Sequence, residues 1–275
     1  MSVKPPVWTW EIPAYFVVGG VAGVAAVMAG VGALAGADAV LVRDARWVAA
    51  AGAAISPALL ISDLGRPERF LNMLRVFKHR SPMSVGVWSL VAFSGAVFAS
   101  IALAWWRGPA ASPVLGALAI ALDLIGIAFG LLLATYTGVL LGVTSVPVWA
   151  RHARLLPLHF GASSLGAGVA VLELIGHRTM ALHAMAIVAA AVETGIGVRL
   201  EIRRELTATS LGKGAASLLT RLGDLCAGPL ALILRLASPY WTAARLLAGA
   251  AAIAGSIFTR YGWLAAGRQS AGGQI

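Results

Sequence analysis

Apolar runs, most of them about 20 residues long, alternate with short polar stretches along the whole chain. Coiled as an α-helix, a run of that length crosses the ~30 Å hydrocarbon core of a bilayer. Seven runs stand out, at about 13–36, 47–61, 82–106, 114–146, 155–175, 179–198 and 242–264. An eighth stretch, 214–237, ends in the apolar string GPLALILRLA but carries Arg221 and Asp224. It reads either as a crossing or as a helix lying flat at the interface. The pattern predicts an all-α integral membrane protein, one polytopic domain with seven to eight transmembrane helices.

The polar stretches carry their own patterns. Residues 63–80 read as an interfacial loop in which Phe70, Met73, Leu74 and Phe77 recur at helical spacing, the mark of a short amphipathic helix. Ser81-Pro82 is a helix start, with an N-cap followed by proline at the first helical position. Most of the nine tryptophans fall near the ends of apolar runs, as an interfacial belt requires. No internal repeat is visible.

Composition agrees with this picture. Hydrophobic residues make up 59% of the 275 positions and charged residues 12%, about half the charged share of a soluble domain. The net charge of +10 would suggest nucleic acid in a soluble protein. Here the basic residues sit between the apolar runs, so topology and anionic lipid explain them and nucleic acid is not expected as a partner. With loops counted alternately, the face shared by the N-terminus and the 63–80 loop holds thirteen Lys and Arg against four on the other. The positive-inside rule then puts the N-terminus and that loop in the cytoplasm, in a cell membrane. The single cysteine, Cys226, excludes an iron–sulfur cluster held by this chain alone. The N-terminal run has no small-residue cleavage site before it and reads as a retained helix.

Ionisable groups within apolar runs are costly, and they are the natural functional candidates: Asp123, His159, Glu173, His183 and Glu193. Each also reads as a paired structural group. Glu173 and His177 are four apart and can meet on one helix face. A haem is not expected, because His159 and His183 each lie near the start of adjacent antiparallel helices and so near opposite membrane faces. Polar residues at another level outline a shallow pocket. Tyr15 opens the first run and Asp63 closes the second, which puts them on one face. Arg66 follows in the turn DLGRPERF, and Tyr136 lies in the long fourth run. Tyr136 joins this level only if that run bends or the pocket reaches toward mid-depth. Such a pocket suits a quinone headgroup, with two oxygens to hydrogen-bond and an apolar tail in lipid. The bland reading is a helix-ending turn with local ion pairs.

Six blocks carry a resemblance to a known family. They are WTWEIPAYFVVGGVAG, LISDLGRPERF, RSPMSVGVW, ATYTGVLLGVTSVPVW, HFGASSLGAG and RYGWLAAGRQSA, spread over nearly the whole chain. Through them the sequence resembles the NrfD/PsrC family, the integral-membrane subunits of polysulfide-reductase-type molybdoenzyme complexes. The resemblance implies eight helices in two four-helix bundles, without haem. It implies a ferredoxin-like iron–sulfur subunit and, beyond it, a molybdopterin catalytic subunit as partners. It also implies exchange of electrons with menaquinone or ubiquinone. The family's quinone-site positions fall on Tyr15, Asp63 and Tyr136, with Arg66 beside the acid. Where members carry Asn and His in the first helix, this chain has Ile12 and Tyr15, so the hydrogen bonding there differs or comes from Glu11 or Trp10.

The expected function is therefore a membrane anchor and quinol-binding subunit of a quinone-dependent oxidoreductase, without a catalytic or redox centre of its own. Asp63 would accept or relay a proton, and Asp123, Glu173, His183 and Glu193 would form a proton path from the other face. The alternatives are a purely structural anchor for such a complex and a stand-alone transporter or proton channel.

Overall fold

The computed structural model describes residues 6, 8–64, 68–106, 112–207 and 214–271. All regular structure in them is helical. In chain order the helices are α1 (Glu11–Leu34), α2 (Ala39–Asp63), α3 (Glu68–Leu74), α4 (Pro82–Trp106), α5 (Pro113–Gly142), α6 (Pro147–Arg151), α7 (Leu156–Ile175), α8 (Met180–Thr207), α9 (Ala215–Leu225), α10 (Ala231–Ala237) and α11 (Thr242–Ala271). A π-helical turn, Cys226–Leu230, joins α9 to α10.

Among the described residues, seven stretches are long and apolar enough to cross a membrane: Glu11–Leu34, Ala39–Asp63, Pro82–Trp106, Pro113–Gly142, Leu156–Ile175, Met180–Arg203 and Ala215–Ala237. The chain is an all-α integral membrane protein. Residues 214–237 are among these, apart from Gly214, which precedes the helix. The two charges that raised the alternative of a flat helix are both engaged. Arg221 Nη2 donates to Glu201 of α8 at 2.6 Å, and Asp224 faces His159 of α7. At 30 residues α11 is also long enough, about 45 Å. Arg245, Arg260 and Arg268 make it more polar than the seven.

Local sequence explains where the helices stop. Asp38 caps α2, its carboxylate accepting from the Leu41 amide. Gly176, at φ 118°, closes α7 in the left-handed conformation that an L side chain resists. The helix formed by the fourth apolar run does not continue to Val146. It ends at Gly142, and Pro147 opens the short α6 after a turn. The amphipathic stretch after Asp63 helps form α3, while Phe77 lies beyond that helix and packs edge-on against Trp88.

The chain divides into two compact units. The N-terminal unit, Val18–Tyr136, contains most of α1, α2–α4 and most of α5. The C-terminal unit comprises Thr137–Ile275 together with Met1–Val17.

In the N-terminal unit, helices meet through missing side chains. A Cβ on Gly23 would lie 2.4 Å from the Gly130 carbonyl oxygen, and one on Gly52 would lie 2.4 Å from the Ala22 Cβ. Close backbone approach of this kind replaces the hydrophobic effect as the packing force inside a bilayer. The C-terminal unit has the same seam between α9 and α11, where Gly223 lies against Thr259 and Gly262 against Thr220.

Candidate functional sites

Tyr136 is the best-defined of the predicted quinone-site residues. It sits six positions before the end of α5, roughly 9 Å of helix. Its ring packs on Gly86, where a Cβ would meet the ring at 2.4 Å, and its hydroxyl donates to the Pro82 carbonyl. Tyr136 therefore reaches the first residue of α4 without a bend in α5. Asp63 ends α2, which packs against α4, and 18 residues link Asp63 to Pro82. The last residue of α2, the first of α4 and the Tyr136 hydroxyl thus lie at one end of the N-terminal unit, with α3 packed on α4. Arg66 lies outside the described residues. Tyr15 belongs to the C-terminal unit, where it is buried beside Phe16 with ring centroids 5.7 Å apart.

The opposite end of the N-terminal unit holds Asp123. Arg46 Nη2 donates to both of its oxygens at 2.9 Å, and Ser100 Oγ donates at 3.5 Å. Arg46 separates two spaces. One is a cavity of about 400 Å³ lined by Val42, Arg43, Trp47, Ile101 and Trp105. The other is a crevice of about 20 Å³ among small residues, reaching Asp123 and Gly126, which is room for one water.

The C-terminal unit contains two buried ionic clusters. Near the end where α7 meets α8, Arg235 of α10 donates to Glu173 at 2.6 Å, and both are nearly inaccessible. His183 of α8 lies within electrostatic reach of this pair, and Arg245 of α11 within reach of His183. Glu173 takes a close partner, Arg235, from another helix.

The second cluster lies toward the other end, the one bearing α6. His159 Nδ1 is 3.0 Å from Glu193 Oε2, and Nε2 is 3.6 Å from Asp224 Oδ1. Arg260, fully buried, reaches neither carboxylate with a hydrogen bond among the described residues. Nη1 donates to Ser163 Oγ at 2.6 Å, Ser256 Oγ at 2.9 Å and the Ser256 carbonyl at 3.2 Å. Nη2 donates to the Phe160 carbonyl at 2.9 Å and to Ser164 Oγ at 2.7 Å. The guanidinium also lies over the Phe160 ring, 4.9 Å from its centroid.

Of these residues, sequence reasoning singled out Glu193 as a proton carrier and His159 as an ionisable candidate that was also weighed as a haem ligand. It read Asp224 as an interfacial charge and gave Arg260 no role. A signal was available. Ser256, Thr259, Arg260 and Trp263 recur at i, i+3, i+4 and i+7, a polar stripe within an apolar helix, and such a stripe faces a partner.

The aromatic residues around α6 complete this end of the unit. Trp8 stacks on Trp149 at 5.6 Å, and Trp149 Nε1 donates to the Trp263 carbonyl at 2.8 Å. Arg268 donates to the Trp8 carbonyl, and the Tyr261 hydroxyl donates to the Trp10 carbonyl at 3.1 Å. The segment leading into α1 is thereby pinned to α11.

Long apolar helices with paired charges held inside them define a polytopic helical membrane protein whose polar groups work within the helix packing. The sequence matches the family described as polysulphide reductase, NrfD, over residues 2–270, nearly the whole chain, and the protein belongs to that family. NrfD proteins are membrane subunits of molybdoenzyme and quinone oxidoreductase complexes, whose general partners are iron–sulfur and molybdoenzyme subunits. None of the curated proteins matches the chain.

Proposed function

We propose that this chain is the quinol-binding membrane subunit of a multi-subunit oxidoreductase, passing electrons between the quinone pool and a partner iron–sulfur subunit. The observation that carries the reading is the meeting of Tyr136 with the first residue of α4, at the end of the unit where α2 terminates in Asp63.

The donor set suits the reduced form of the ligand. Tyr136 gives its only O–H to the Pro82 carbonyl and its oxygen takes a hydrogen bond from the Gly86 backbone, which leaves it a lone pair to offer and no proton. The Asp63 carboxylate is likewise an acceptor when ionised. Two acceptors match the two O–H groups of a quinol better than the two carbonyl oxygens of a quinone. Oxidation of one bound quinol releases two electrons and two protons. The electrons leave to the partner's cluster, and Asp63 takes the two protons one after the other, passing each to water at the interface. Tyr136 orients the ring and keeps its own proton on the Pro82 carbonyl throughout. Menaquinol and ubiquinol share this headgroup chemistry. The thirteen-to-four excess of basic residues on the N-terminal face is the reason to put that face in the cytoplasm.

The test is quinol oxidation by the assembled complex. Asp63→Asn keeps the shape and removes the proton acceptor, so turnover falls about 100-fold, the low end of a positioned base. Tyr136→Phe lowers turnover less and raises KM. If both variants assemble and keep full turnover, the site assignment is wrong and a purely structural anchor is the better description.

A further inference from the structure

We infer that the N-terminal unit carries a site for one anionic phospholipid, at the end away from Asp63 and Tyr136. The lipid phosphate sits between Arg43 and Arg46 in the cavity there, and the acyl chains lie along the outer faces of α2 and α4.

Space is the first argument. The chain reverses from α1 into α2 at Gly36, whose φ of 69° an L side chain resists. Beside this turn the lining side chains are small: Ala33, Ala37 and Ala39 on one side and Ala104 of α4 on the other. They leave about 400 Å³ unfilled, within the range of about 300–1,000 Å³ of small-molecule pockets. A recess of that size beside two guanidinium groups does not stay empty in a membrane, because the charges need water or an anion.

Charge is the second argument. Among the described residues, the charged side chains that line the cavity are both arginines. The neighbouring acids are engaged elsewhere. Asp38 accepts from the Leu41 amide, and Asp123 holds Arg46 from the side of the narrow crevice. Asp44 accepts from Arg43 Nε at 2.9 Å. These bonds use Nη2 of Arg46 and Nε of Arg43, and a guanidinium has five N–H groups in a rigid fork. Each arginine therefore has donors beyond them for a phosphate. Asp123 fixes Arg46 in position, while Arg43 is mostly exposed and free to close over an anion. A zwitterionic headgroup would bring its ammonium against the same two cations, so a lipid with net negative charge fits better.

Depth is the third argument, and it selects a lipid over a free phosphate. Trp47 and Trp105 line the cavity and meet edge-on, with ring centroids 6.5 Å apart. Both are exposed, and indole rings of this kind sit at the level of the lipid headgroups. From Trp47 toward the middle of the bilayer, α2 turns Ala51, Ala54 and Ile55 outward. From Trp105, α4 does the same with Phe98 and Val91. These positions recur at helical spacing on each helix, and α2 packs against α4. An apolar face thus continues from the charged recess into the hydrocarbon, which suits acyl chains and offers a free phosphate nothing. Basic pockets between transmembrane helices recognise anionic headgroups in this way.

The experiment is native mass spectrometry of the full-length chain, purified in detergent, stripped of lipid and titrated with phosphatidylglycerol, phosphatidylcholine or inorganic phosphate. Wild type takes up one phosphatidylglycerol per chain ahead of phosphatidylcholine, and inorganic phosphate does not displace it. Arg43→Gln changes an exposed side chain and leaves the packing intact, and it weakens phosphatidylglycerol binding about five-fold. Arg46→Gln weakens it at least as much. Arg178→Gln, at an exposed arginine between α7 and α8, leaves binding unchanged, which separates a site from the general attraction of a basic surface. Equal binding of the two lipids, displacement by phosphate, unchanged binding in Arg43→Gln, or an equal loss in Arg178→Gln overturns the proposal. Lipid binding is measured without quinol turnover, so its failure leaves the reading of the Asp63–Tyr136 end untouched.

Discussion

The two compact units solve the same problem, a stable helix bundle in lipid, by different means. The N-terminal unit relies on shape. Gly23 meets Gly130 and Gly52 meets Ala22 at distances that only small residues permit, and its buried Asp123 pairs with Arg46, which borders a cavity. The C-terminal unit adds a polar interior: Glu173 with Arg235, and His159, Glu193 and Asp224 with Arg260 and its serines. Close packing is insensitive to protonation and suits a unit that holds a ligand between helix ends. A buried polar network is sensitive to every charge it contains. The contrast teaches that the acids inside this protein are not equivalent. Asp123 stands at the rim of a space that water can share, whereas Glu193 is 1% exposed.

Six substitutions bear on that contrast. Arg260→Leu should have the largest effect, because it abandons three serines and exposes the two acids to each other. A loss of about 3–5 kcal/mol is expected, the cost of breaking a buried charge network, read as thermal unfolding of the solubilised complex. Arg46→Leu is its control in the other unit. An equal loss there would erase the distinction between the units. Arg235→Leu leaves Glu173 buried and unpaired and should cost roughly 3 kcal/mol. Adding Glu173→Leu should recover more than half of it, as a double-mutant cycle measures. No recovery would mean that the pair is not a closed unit. Gly23→Leu forces side-chain atoms into the Gly130 backbone and should cost about 1–3 kcal/mol, read in the same thermal unfolding. The smallest effect belongs to Arg221→Ala. Its pair with Glu201 is more than 40% exposed on both sides, and such pairs contribute about 0–1 kcal/mol. A larger loss would show that Arg221 anchors α9 across the membrane.

Much of the candidate quinol site was legible along the chain. Alternation of crossings puts the end of α2 and the start of α4 on one face, and Asp63 and Pro82 stand at those ends. The level of Tyr136 was not legible. The apolar run continues to Val146, and hydropathy does not see the turn after Gly142 that brings Tyr136 close to the helix end. His159 shows a different limit. Its distance along the chain from Glu193, Asp224 and Arg260 carries no sign that the four converge.

The sequence by itself determined the class of protein, the positions of most helices and the family, because hydropathy and local turn chemistry act over one helix length. Residues 214–237 mark the border of that determination. Their apolar end allowed a crossing and their charges argued against one. Only the tertiary structure supplied Glu201 as the partner of Arg221 and His159 as the group facing Asp224. A charge inside a membrane is settled by what another helix brings to it, and that partner lies far away in the chain.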